Sequence, residues 1–188
     1  MNLMISNTNS RPAPAAKNAN PGTDILSYAT GECALGPVLV ARSDRGVCAI
    51  LIGDKDEDLT DDLANRFPEA GLIANEIAVH DDLAKVILFV KKPADGLHLT
   101  LDMRGTPFQR RVWEKLCAIP AGKTTTYMEL ARHVGARTSP RAVGAACAAN
   151  PIALAIPCHR VVRSDGDLAG YRWGIERKRE LLRKEAIA

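Results

Sequence analysis

The chain has 188 residues, 46% hydrophobic and 25% charged, with a formal net charge of +3. That apolar share supports a packed core and excludes an intrinsically disordered protein. No apolar run reaches the roughly 18 to 20 residues needed to cross a bilayer, and the N-terminus lacks the basic-then-apolar order of a secretory signal, so a cytoplasmic protein with no membrane partner is expected.

Residues 1–23 hold five Asn and three Pro and almost no bulky apolar residue after Ile5, which predicts a disordered tail. From Ile25 the pattern turns globular. Val38-Leu39-Val40, the turn Ser43-Asp44-Arg45-Gly46, and Val47 through Ile52 read as strand, tight turn, strand. The acidic stretch after Asp54 opens a helix on which Leu59, Leu63 and Phe67 recur every four residues. Leu83, Val86, Ile87 and Val90 mark a second helix ended by Pro93, and Leu97, Leu99 and Leu101 alternate with polar residues as a half-buried strand. This gives a small α/β domain over residues 24–101. Its His80 and His98 lie far apart, without other ligand types at useful spacing, so nothing in this part looks chemical.

The second part, residues 102–188, reads as mostly helical. Thr106-Pro107-Phe108-Gln109 combines an N-cap, a proline at the first helical position and a capping-box glutamine, with Phe108, Val112 and Leu116 as the buried stripe. Thr126 with Glu129 makes a second capping box before a short helix that stops at Gly135. Ser139-Pro140 opens a third helix over residues 140–149, which ends at Asn150 before Pro151. Two short helices around a Gly-containing turn form a helix-turn-helix arrangement. Residues 1–101 carry 9 Lys+Arg against 14 Asp+Glu, net −5, whereas residues 102–188 carry 16 against 8, net +8. A basic half of this kind is the footprint expected of a phosphate-rich partner such as nucleic acid. Small residues of the third helix would allow close approach either to DNA or to a neighbouring helix, and Arg141 stands in its first turn.

Five cysteines, an odd number without a C-x-x-C pair, suggest neither a disulfide framework nor a zinc cluster, and a reducing compartment fits. Cys158 is the exception among otherwise structural thiols. The apolar run Ile152–Ile156 drives the chain inward as a buried strand and delivers Pro157-Cys158-His159-Arg160-Val161-Val162 at its end. A thiol needs a base or a charge to become a nucleophilic thiolate, and an imidazole beside it is a candidate. Neighbours on a strand point to opposite faces, so Cys158 and His159 can cooperate only at a bend or through water.

The string Pro157-Cys158-His159-Arg160-Val161, with Asn150 eight residues before the cysteine and Gly170-Tyr171-Arg172-Trp173-Gly174 after it, resembles the active site of the O6-alkylguanine-DNA alkyltransferases. The likeness spans about residues 25–186 and is nearest to the alkyltransferase half of their longer bacterial members. It implies an α+β fold, with a small ribonuclease H-like α/β domain followed by a mostly helical, winged-helix-like DNA-binding and active-site domain. It implies direct-reversal DNA repair, in which the alkyl group of O6-alkylguanine, or less well of O4-alkylthymine, passes irreversibly to Cys158 after nucleotide flipping. His159 would act through a bound water as the base, Glu185 would orient it, and Asn150 would join the recognition helix to the cysteine region. Tyr127 would donate to the leaving guanine, and Arg141 would fill the space of the extruded base. Ser164, Tyr171 and Val161 complete the expected substrate and DNA contacts. On its own sequence context Glu185 reads only as a solvated helix residue.

The same likeness implies double-stranded DNA as partner, bound in the minor groove without sequence specificity, by a protein that is a monomer in solution. No cofactor and no metal are expected. The longer relatives' four-cysteine zinc part has only the tail in its place here, so a role in gene activation is not expected. Two rival readings stand beside this one. Cys158, His159 and Asn150 are also the residue types of a thiol hydrolase, which would leave the helix-turn-helix and the basic half unexplained. A non-catalytic damage sensor would not need Cys158.

Overall fold

The computed structural model describes residues 24–135 and 137–187, so the tail expected over residues 1–23 lies outside the described residues. β1 (Ile25–Cys33), β2 (Gly36–Ser43) and β3 (Gly46–Ile52) form an antiparallel meander. β4 (Gly71–Ala74) pairs parallel with β1, giving the order β3-β2-β1-β4. The β2–β3 hairpin turns at the Ser43–Gly46 segment, as the sequence predicts. β1 and β4 extend beyond that reading: β1 interrupts its apolar residues with Gly31 and Glu32, and β4 has only four residues.

Sheet alternation sends Leu26, Tyr28, Leu39, Ala41, Ala49 and Leu51 to one face, where Leu59 and Leu63 of α1 (Asp56–Arg66) cover them. The opposite face meets Val79, Leu83, Val86 and Val90 of α2 (Glu76–Lys91), a helix capped by the Asn75 side chain. This second face does not stop at the N-terminal half. Val112, Trp113, Leu116, Val143, Ile152, Ile156 and Leu181 belong to the same apolar cluster, so one core runs through both halves.

β3 explains how the halves are joined. It is buried along its whole length, and its outer edge is used twice. Val47 donates to Thr100 O at 2.8 Å and accepts from Asp102 N at 2.8 Å, and farther along Ile50 pairs with Ile152. The strand expected through Leu97, Leu99 and Leu101 is therefore a correction. Only a single bridge at Leu101 forms, because the rest of the β3 edge is taken by the segment that leads to Cys158.

The helical half is built from α3 (Pro107–Cys117), α4 (Tyr127–Val134), α5 (Pro140–Ala148) and α6 (Ile175–Ala186). The capping boxes at Thr106/Gln109 and Thr126/Glu129 are formed, as is the Ser139 cap. β5 (Thr125–Thr126) pairs parallel with β6 (Val161–Val162) and ties the start of α4 to the segment after the cysteine. Trp113, 1% exposed, donates from Nε1 to Ala146 O at 2.9 Å and locks α3 onto α5. Truncating such a side chain costs about 3–5 kcal/mol, which makes it a main fastener of the helical half. No described helix is long and apolar enough to cross a membrane.

Candidate active site

The buried strand expected over Ile152–Ile156 is replaced by a turn. Only Ile152 pairs with a strand, Ile156 N donates back to Ile152 O at 3.1 Å, and Leu154 takes the left-handed backbone region at φ 67°. That conformation costs a non-glycine residue about 1–2 kcal/mol. Burial of Ile152, Ala153, Leu154 and Ile156, anchored on β3, offsets it. The reversal feeds directly into a single 3-10 turn over Cys158–Arg160, and this bend is what lets adjacent side chains share one site.

Asn150 holds the bend together. It is fully buried at the end of α5; Oδ1 accepts from Ile152 N at 2.9 Å, and Nδ2 donates to Ile156 O at 2.9 Å and to Cys158 Sγ at 3.4 Å. One amide thus fixes both ends of the turn and points its remaining N–H at sulfur. Burial pushes the Cys158 thiol up to about 11, against the opposing pull of the Asn150 hydrogen bond and the Lys178 ammonium. The resting thiol is therefore protonated at neutral pH and needs a base.

His159 is fully buried, and its Nε2 lies 2.9 Å from Glu185 Oε1. Glu185 also receives a two-pronged contact from Arg160, NH2 to Oε1 at 2.8 Å and Nε to Oε2 at 3.0 Å. Burial raises the Glu185 carboxyl, but the bonds from His159 and Arg160 outweigh it and bring it down to about 2. An ionised carboxylate can only accept, so Nε2 carries the proton that it donates to Glu185. Burial lowers the His159 pKa more than Glu185 raises it, leaving a neutral ring. Nδ1 is then the basic nitrogen, and it is buried with no hydrogen-bond partner. Sγ and the imidazole share no direct hydrogen bond.

A cavity of about 270 Å³ opens beside Sγ, lined by Tyr127, Gly144, Cys147, Ala148, Cys158, Gly170, Tyr171 and Arg172. Tyr127 stands at the start of α4, and burial, with Cys147 and Cys158 nearby, pushes its phenol up to about 12, so it remains a hydrogen-bond donor. Tyr171 packs edge-on against Trp173 and His159, with ring centroids 5.1 and 6.3 Å apart, and its hydroxyl is buried without a partner.

The structure thus brings Cys158, His159, Glu185 and Asn150 into one cluster, with Tyr127 and Tyr171 on the cavity wall. It does not bring the other expected substrate residues to that wall. Arg141 is exposed in the first turn of α5, and Ser164 is exposed in the loop after β6. Val161 is fully buried in the core by the β5–β6 pairing, and its carbonyl accepts from Lys178 Nζ at 2.6 Å. Sequence reasoning missed Arg160 as the second partner of Glu185, and Lys178 as a fully buried lysine that also donates to Ala169 O at 3.3 Å. Among the described residues no group of three or more His, Cys, Asp or Glu is placed to hold a metal ion.

A buried cysteine thus lies beside an imidazole anchored on a carboxylate, in a half that also carries the capped helices α4 and α5. Residues 107–187 match the family described as the DNA-binding domain of 6-O-methylguanine DNA methyltransferase. The methylated-DNA–protein-cysteine methyltransferase of Methanosarcina barkeri is 36% identical over 162 residues, 85% of this chain and 97% of that protein. The bifunctional transcriptional activator/DNA repair enzyme Ada of Escherichia coli is 48% identical over 173 residues, 91% of this chain but 49% of that protein, so the chain spans about half the length of this relative. Among solved structures, Mycobacterium tuberculosis OGT in complex with DNA superimposes with a TM-score of 0.67 at 32% identity, covering 86% of this chain and 93% of that one. The chain belongs to the methylated-DNA–protein-cysteine methyltransferase family, and its mixed α+β fold is that of these structures.

Proposed function

We propose that the protein is a DNA-repair methyltransferase that moves the alkyl group from O6 of guanine in duplex DNA onto its own Cys158. The observation that carries this reading is a thiol on the wall of a cavity of about 270 Å³ that receives the Asn150 amide and adjoins an imidazole whose Nε2 is committed to Glu185, leaving Nδ1 basic. The thiol proton passes through a bridging water to His159 Nδ1. Sγ then forms a bond to the alkyl carbon as the carbon–O6 bond breaks, and the electron pair leaves with guanine. Tyr127 supplies the donor that offsets the developing negative charge. A positioned general base contributes about 10²–10⁴-fold, which suits a thiol held at about 11 in the resting protein. Because a thioether has no easy route back to thiol, each molecule acts once, without a cofactor.

The target atom is masked in a duplex, so the nucleotide is extruded into the cavity, at lower cost for a damaged pair. Arg141 fills the vacated stack from α5, Ser164 and the Val161 backbone contact the DNA side, and the +8 half binds phosphates in the minor groove without reading sequence. O4-alkylthymine is a poorer substrate of the same site. The β3-β2-β1-β4 order, with β4 parallel to β1, supports a ribonuclease H-like unit over residues 24–101, and the capped α4–α5 pair supports a winged-helix-like unit over residues 102–188. The protein works as a cytoplasmic monomer. Intact-protein and peptide mass spectrometry after mixing with a duplex bearing one O6-methylguanine tests the reading. One methyl on the Cys158 peptide, matched by loss of the lesion, is expected; folded, reduced protein that gains none would overturn it.

A further inference from the structure

Among the described residues, the N-terminal half contributes no side chain to the cavity beside Cys158, yet two arginines flanking Trp173 tie the wall of that cavity to it. Arg177, in the first turn of α6, spreads its guanidinium over three separate segments. Nε donates to Leu35 O in the β1–β2 turn at 2.7 Å, NH2 donates to Gly53 O after β3 at 2.6 Å and to Asp54 Oδ1 at 2.6 Å, and NH1 donates to Trp173 O at 2.9 Å. Two left-handed glycines stand beside it, and at Gly36 a side chain would crowd the contact. Gly36 has φ +104°, and a Cβ there would stand 2.9 Å from Gly53 O and 3.3 Å from Arg177 NH2; Gly174, at φ +97°, would place one 3.6 Å from Arg177 NH1. On the other side of Trp173, Arg172, itself part of the cavity lining, reaches Asp62 Oδ1 on α1 at 2.7 Å, while Arg66 holds Asp62 Oδ2 at 3.0 Å.

The held segment leads straight to the chemistry. Trp173 is buried and packs edge-on against Tyr171, which in turn packs edge-on against His159 and lines the cavity with Gly170. The contacts therefore run without a break from the β1–β2 turn through Arg177, Trp173 and Tyr171 to the imidazole. We propose that Arg177 is a positioning residue for alkyl transfer, which with the Asp62–Arg172 pair sets the Tyr171 wall of the cavity from the N-terminal sheet. Its carbonyl acceptors are neutral and largely desolvated, so a planar five-donor group suits them, and lysine could satisfy only part of the set.

This inference rests on the proposed reaction, and two readouts keep the two apart. The first is acrylamide quenching of tryptophan fluorescence in Arg177→Gln, Arg177→Lys and Arg172→Gln. Trp113 is locked between α3 and α5, so added quenching reports Trp173 leaving its packed position. The second is the single-turnover rate of methyl transfer from a duplex bearing O6-methylguanine, measured beside affinity for undamaged duplex. We expect more quenching in both Arg177 variants, unchanged affinity for undamaged duplex, and transfer slowed about tenfold or more in Arg177→Gln, since misplacement by about 1 Å is worth up to 10²-fold. Arg177→Lys recovers part of the rate, and Arg172→Gln, on an exposed pair, loses less. Wild-type quenching in Arg177→Gln would overturn the inference, as would wild-type transfer despite raised quenching, or a rate loss matched by an equal loss of duplex affinity. If Arg177→Gln does not fold, Arg177→Lys and Arg172→Gln carry the same criteria. If the wild-type protein transfers no methyl group, the reaction proposed above fails, and the quenching arm alone decides whether Arg177 holds the loop.

Discussion

His159 Nε2 and Glu185 Oε1 lie 2.9 Å apart in a region from which both side chains exclude solvent, and the carboxylate is shared with Arg160. This contact selects the tautomer of the imidazole, because an ionised acceptor leaves Nδ1 as the free base. Glu185→Gln keeps the shape but removes the charge that fixes the ring and balances Arg160. We expect a stability loss of about 3 kcal/mol, the scale for breaking a buried ion pair. Methyl transfer should slow by about 10²-fold or more, the scale of a general base. Urea unfolding and single-turnover transfer check the two separately; a stability loss with full transfer would reduce Glu185 to a structural role.

Stability should peak between about pH 6.5 and 9. On the acid side, Glu185 is held at about 2 in the folded chain against 4.5 otherwise, so its contribution is complete above 4.5 and is lost as pH falls toward 2. His159 is depressed below 6.5, so the unfolded chain takes up that proton first and stability begins to fall below pH 6.5. On the alkaline side, burial raises Cys158 and Cys48 to about 11 and Cys147 to about 12 from 9.0. The unfolded chain releases these protons first, and stability drops as pH climbs from 9 toward 11. Urea midpoints across pH under reducing conditions read this out, and Cys147→Ala should flatten the alkaline limb.

The parts of this protein that were legible in its sequence are those written locally. Thr106 with Gln109, Thr126 with Glu129, and Ser139 with Pro140 announce three helix starts through contacts three residues apart, and the structure forms them where the spelling places them. Cys158 and His159 stand out as a local pair. The supporting cluster was not legible, because its partners meet across long stretches of chain. Lys178, Leu181 and Glu185 share the buried face of α6, yet two of the three are charged, so the segment reads as a solvated helix. Arg160 lies 25 residues from Glu185 and Arg172 lies 110 residues from Asp62, and no periodicity reports such pairs. The run Ile152–Ile156 misled for a related reason: apolar content specifies burial, whereas the turn that shapes it depends on Asn150 and on the space left at the β3 edge.

Asn150 should be among the least replaceable residues outside the reacting pair. Asn150→Ala leaves Ile152 N buried without a partner, strips Ile156 O of one of its two donors while Cys158 N still reaches it at 2.8 Å, and removes the donor to Sγ. A buried group left unpaired costs about 1–3 kcal/mol, so a loss of about 2 kcal/mol is expected. Asn150→Asp keeps the acceptor for Ile152 N but loses the donor and sets a negative charge near the sulfur. That variant should raise the Cys158 pKa further and slow iodoacetamide labelling of this thiol relative to wild type, a change that mass spectrometry of the Cys158 peptide would follow.

A variant at Arg141 can separate the proposed DNA engagement from the proposed chemistry. Its side chain is exposed in the first turn of α5, away from the lining of the cavity. Arg141→Ala should therefore leave stability within about 0.5 kcal/mol of wild type, the usual range for surface positions. If Arg141 occupies the space of an extruded base, the variant should repair O6-methylguanine in duplex DNA more slowly while reacting normally with the free methylated base, which needs no extrusion. If it acts only as a phosphate contact, duplex affinity should fall for damaged and undamaged DNA alike, with a salt dependence weaker by roughly one counterion. Binding titrations at several salt concentrations, run beside transfer assays on the two substrates, distinguish these outcomes, and equal loss on both substrates would show that Arg141 shapes the pocket from a distance instead.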